Sequence, residues 1–78
     1  MIQVEVFRGR DRIFAVVRTG RADRLPERYG PWTCFKTLEL TRGQEQPGLH
    51  VDECLDDIEM HGIHVTDAHT RITDEAIS

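Results

Sequence analysis

Val51-Asp52-Glu53-Cys54-Leu55-Asp56-Asp57-Ile58-Glu59-Met60-His61-Gly62 decides the fold. Val51, Cys54, Leu55 and Ile58 recur at the i, i+3, i+4, i+7 spacing that lines one face of an α-helix. Asp52 and Glu53 stand in the first turn, where the helix dipole favours anions, and Gly62 marks the stop. An amphipathic helix at about 51–61 therefore presents one apolar stripe, and such a stripe has to lie on a complementary surface.

The flanking segments supply that surface as a sheet. Downstream, Ile63-His64-Val65-Thr66 reads as a short strand. Thr66 and Asp67 then suit the cap of a final helix in which Ala68, Ile72 and Ala76 share a face. Upstream, residues 43–48 form a turn-rich connection. Before it, Thr33-Cys34-Phe35-Lys36-Thr37-Leu38-Glu39-Leu40 has the β-branched and aromatic content of a third strand, although Pro31 followed by Trp32, Phe35 and Leu38 also suits a helix. At the N-terminus Ile2, Val4 and Val6 alternate with Gln3 and Glu5, and the apolar run Ile13-Phe14-Ala15-Val16-Val17 follows a short hairpin. The second of these strands, apolar on both faces, is expected inside the sheet, with the more amphipathic first strand nearer an edge. Residues 19–31, punctuated by Gly20, Pro26, Gly30 and Pro31, read as a long loop. The expectation is one α+β domain over 1–78: a small, mainly antiparallel sheet packed against one amphipathic helix, with a short C-terminal strand and a final helix.

Seventy-eight residues bury a modest core, so stability of roughly 3 to 5 kcal/mol is expected, and a homodimer or a metal would be an economical supplement. Cys34 and Cys54 read as reduced thiols, no signal-peptide pattern opens the chain, and the longest apolar run is the five residues 13–17. A cytoplasmic protein without a membrane span is the expectation. Nine Arg against one Lys suits a G+C-rich, bacterial type of genome.

The net charge of −4 hides a polarised chain. Residues 1–42 hold nine basic and five acidic side chains, whereas residues 43–78 hold Arg71 against nine acids. All four histidines lie in the acidic half.

Hydrolase and nucleotide-binding chemistry find little support. Ser78 is the only serine, Lys36 the only lysine, and no glycine-rich phosphate cradle is present. Cys54, on the apolar face of the helix, reads as a small inert hydrophobe. A binding protein rather than an enzyme is expected, with no resident cofactor.

Three sets of residues are candidates for binding. Asp52, Glu53, Asp56, Asp57 and Glu59 are placed on the side of the helix away from its stripe, with Met60 among them. No lysine or arginine stands four positions away to relieve their repulsion, so a basic protein partner would. Seven arginines fall within residues 8–28. Of these Arg18, Arg21, Arg24 and Arg28, with the rings of Tyr29 and Trp32, offer an alternative nucleic-acid surface. Against it stand the overall acidity and the competing reading that Tyr29 and Trp32 close one end of the core. His61, His64 and His69, with Asp57 one turn before His61, form a second alternative, a zinc site whose spacing matches no tight ligand pair. The protein-interaction reading, through either the acidic helix face or the Arg-rich loop, leads, because opposite charges on one small domain steer encounters.

Overall fold

The structure is a computed structural model that describes residues 1–46, 49–67 and 72–73. Four strands, β1 (Ile2–Arg8), β2 (Phe14–Arg18), β3 (Thr33–Leu40) and β4 (Ile63–Thr66), form one antiparallel sheet in the order β3-β1-β2-β4. Helix α1 (Val51–His61) joins β3 on one edge to β4 on the other. It stops at Gly62, which takes a φ of 82° while its N–H donates to Ile58 O at 2.9 Å. A residue with a side chain rarely adopts that conformation, so glycine suits this junction.

Alternation along the strands sorts the core into two layers. Val4, Val6, Val16 and Leu40 face α1 and pack with Val51, Cys54 and Ile58; Ile2, Phe14, Leu38, Leu49 and Leu55 border them. Ala15, Val17, Ile63 and Val65 make up the opposite layer, covered by Leu25, Tyr29, Trp32 and Ile72. Residues 19–31 are thus less irregular than expected. They carry two 3-10 turns, Ala22–Arg24 and Glu27–Tyr29, which form a lid over β2 and β4.

β1 is not near an edge, as its pattern suggested, because β3 pairs along its other side. Its amphipathicity reports its faces instead. Ile2, Val4 and Val6 look toward the helix layer, while Gln3 is exposed and Glu5 accepts the Gly20 N–H at 3.0 Å. β3, the expected third strand, takes the edge. It bears a register shift opposite Val6 and Phe7 and the exposed Lys36, both devices that blunt an open edge.

At the β1–β2 turn, Ile13 N–H donates to Arg10 O at 3.0 Å, with Asp11 and Arg12 at φ values of 54° and 66°. Two left-handed residues in succession make the tight hairpin turn whose twist matches the strands. Residues 27–32 clamp the base of this turn: Arg10 N–H donates to Tyr29 O at 2.9 Å, and Gly9 sits beneath Trp32, where a Cβ would collide with Tyr29 O. The final helix read over residues 68–76 lies outside the described residues except for Ile72 and Thr73. No helix among the described residues is long and apolar enough to cross a membrane.

Candidate functional site

The helix carboxylates separate into three environments. Asp52 Oδ1 accepts the Gly43 N–H at 2.8 Å and so fastens the incoming turn to the first turn of α1. Asp56 pairs with Arg42 at 2.9 Å, with Glu59 4.0 Å from the same guanidinium. Arg42 lies fourteen positions before Asp56, beyond the reach of helical periodicity, and it partly offsets the repulsion expected on this face. Glu53 is also exposed, and Met60 is 75% exposed.

Asp57 departs from the expected acidic face, because it is 1% exposed and cannot meet a partner. On the helix it flanks the apolar stripe, and β4 comes to lie along that flank. Val16 is the partner of His64 across the β2–β4 ladder, so His64 shares the helix-facing side and is 3% exposed. Its Nδ1 stands 2.6 Å from Asp57 Oδ2, with N–H donating to carboxylate. The Thr73 hydroxyl, 0% exposed, donates to the same oxygen at 2.9 Å and accepts the Val65 N–H at 2.7 Å. Buried polar groups need such partners, and no buried side-chain nitrogen or oxygen among the described residues lacks one. The network thus joins α1, β4 and residues 72–73. The sequence did not signal it: in Ile63-His64-Val65-Thr66 the alternation gives His64 a polar position, and only the packing of α1 on that side buries it.

This arrangement directs His64 into a hydrogen-bonded interior. His61 occupies the last turn of α1 and is half-buried, His69 lies outside the described residues, and no group of three metal-ligating side chains forms among the described residues. Cys54 is fully buried. Burial, then the charges of Asp57 and Glu53, push its thiol from 9.0 up to about 12, which disfavours the nucleophilic thiolate. Cys34 is exposed on β3.

The six residues of the nucleic-acid alternative fall into two groups. Arg18 ends β2; Arg21 pairs with Asp23 at 3.3 Å, and Arg24 rests against Gly62 at the end of α1. Arg28, over the Tyr29 ring at 5.6 Å, lies instead with Tyr29 and Trp32 at the hairpin end. Both aromatic rings are half-buried against the lid-side core layer, and the indole N–H donates to Pro26 O at 2.8 Å. They therefore serve the core, as the competing reading held.

A different set converges at the hairpin end without having been singled out. Arg8 faces Phe14 across one ladder and Thr33 across the other, and Phe14 meets Phe35 edge-on, with centroids 5.9 Å apart. Lys36 Nζ lies 5.5 Å from the Phe35 ring centre. The Phe35-Lys36 adjacency was visible in the sequence; the approach of Arg8 and Phe14 required the strand pairing. A scan against protein-family models, a search of curated proteins and a search of solved structures each return no match to this chain.

Proposed function

We propose that the protein is a small protein-interaction module that receives a basic, partly apolar segment of a partner on the outer face of α1. The observation supporting this reading is that the charge polarity of the chain survives folding. Arg42 salt-bridges to Asp56 and Glu59, whereas Arg21 is held by Asp23 and Arg8, Arg10, Arg12 and Arg18 are exposed on the sheet and its hairpin. Exposed Asp52, Glu53, Asp56 and Glu59 thus share the outer side of α1 with the adaptable Met60 side chain, a combination suited to a cationic amphipathic segment.

A short synthetic peptide alternating lysine and leucine provides the test, followed by amide chemical shifts. Binding should shift residues 52–60, weaken as salt rises, and fall about fivefold, or about 1 kcal/mol, in Asp56→Asn/Glu59→Gln. Met60→Ala should lower affinity without altering salt dependence. Shifts confined to another surface, or unchanged affinity in both variants, would remove α1 from this role.

A further inference from the structure

We infer that the hairpin end of the sheet is a single-stranded nucleic-acid site, with Phe35 stacking a base and Arg8, Arg10, Arg12 and Lys36 holding the adjoining phosphates. Phe35 is the starting observation. It is 56% exposed on an edge strand, supported edge-on by half-buried Phe14 and therefore held in place with much of its surface open. Such a ring can stack on any base, whatever its hydrogen-bonding pattern.

Cations cluster at that end of the sheet and outnumber Asp11, which stands between Arg10 and Arg12 in the turn. Lys36 follows Phe35 on the strand and Arg8 lies between Phe14 and Thr33 in the ladders, while Arg10 and Arg12 extend from the same end. Arg10 is oriented by its Nε–H bond to Gly30 O at 3.3 Å, a neutral acceptor that leaves its charge uncompensated. Among the described residues, none of these four side chains is salt-bridged to a carboxylate, whereas Arg21 and Arg42 are. Arginine forks and a lysine ammonium are suited to phosphate oxygens.

The backbone adds a second, independent observation. Arg12 adopts a left-handed φ of 66° at a position where such turns favour glycine. The clamp from Tyr29 and Gly30 onto Arg10 fixes this conformation, which holds the Arg12 side chain at the tip. The acidic helix does not crowd the site. Asp52, Asp56 and Glu59 are tied to Arg42 and Gly43, just beyond the Leu40 end of β3, and Phe35 is five residues back along the strand, about 16 Å away.

This surface is separate from the helix face proposed for a protein partner, and its partner is a polyanion with stackable bases. The test uses the intact chain and a fluorescent twelve-nucleotide oligouridylate, with a glutamate homopeptide of equal charge as comparison. Oligonucleotide binding should weaken as salt rises, with a log–log slope of up to about −2.8 if all four cations meet phosphates. Phe35→Ala should reduce affinity about tenfold with the slope unchanged, and Phe35→Trp should restore it. Arg12→Gly should reduce both affinity and slope while raising Tm by about 4 °C as the left-handed strain is relieved. Absence of oligonucleotide binding, affinity unaffected by Phe35→Ala, or equal binding of the glutamate homopeptide would each overturn the inference, the last by showing an acidic protein surface to be the partner.

Discussion

At the residue scale, Cys54 shows how burial turns a reactive group into core. Its thiol is fully buried against Val51 and Ile58, and the nearby carboxylates of Asp57 and Glu53 further disfavour a second negative charge. The folded pKa of about 12 lies above the ordinary 9.0, so the native state keeps the proton that the unfolded chain releases. The thiol's contribution to stability is therefore fully present below pH 9 and is lost as pH rises from 9 toward 12. Urea unfolding at pH 8 and pH 10 should show a decline of about 1.4 kcal/mol that is missing from Cys54→Ala, a variant already weakened by its cavity. Equal declines in both proteins would mean that Cys54 titrates as freely when folded as when unfolded.

At the scale of elements, the Asp57–His64–Thr73 network ties α1, β4 and residues 72–73 through one carboxylate oxygen. Thr73→Val preserves shape but leaves the Val65 N–H unpaired and takes a donor from Asp57, each omission costing about 1 to 3 kcal/mol. Tm should fall by about 8 °C or more and the Val65 amide should exchange faster, with Thr73→Ser retaining most of the stability. An unchanged Tm and exchange rate would show that the network carries no load. The limits of sequence reading are physical at this scale. Periodicity gave α1 and β-branched content gave β3, since both are local. Whether β1 or β3 forms the edge depends on a nonlocal ladder, and the three-residue turns of the lid are too short to show a period. Asp57 was misplaced for the same reason: helical geometry puts it on a flank, and only the position of β4 makes that flank the buried one.

Across the whole molecule, the cations of the hairpin end and the helix carboxylates stand at opposite ends of β3, and Arg42 neutralises the carboxylates only in part. Arg8 lies beside Thr33, with Arg10 and Arg12 just beyond; Arg42 and the carboxylates it organises lie past Leu40. Sequence alone showed the charge asymmetry but not whether folding would cancel it, because ion pairs such as Arg42–Asp56 form across a connection whose path only the fold defines. The distance between the ends governs how they communicate. About 16 Å from Phe35 to Leu40 is two screening lengths at physiological salt, where the Debye length is about 8 Å, but falls within the roughly 30 Å length at 0.01 M. Removing the helix charges with Asp56→Asn/Glu59→Gln should therefore leave oligonucleotide affinity within about twofold at physiological ionic strength. At 0.01 M salt the same variant should bind the oligonucleotide more tightly than the parent protein, because an unscreened repulsion has been removed. A cycle pairing that variant with Phe35→Ala should give near-zero coupling at both salts, since the stacking contribution is uncharged. Strong coupling at physiological salt would show that the two surfaces overlap and form one binding site.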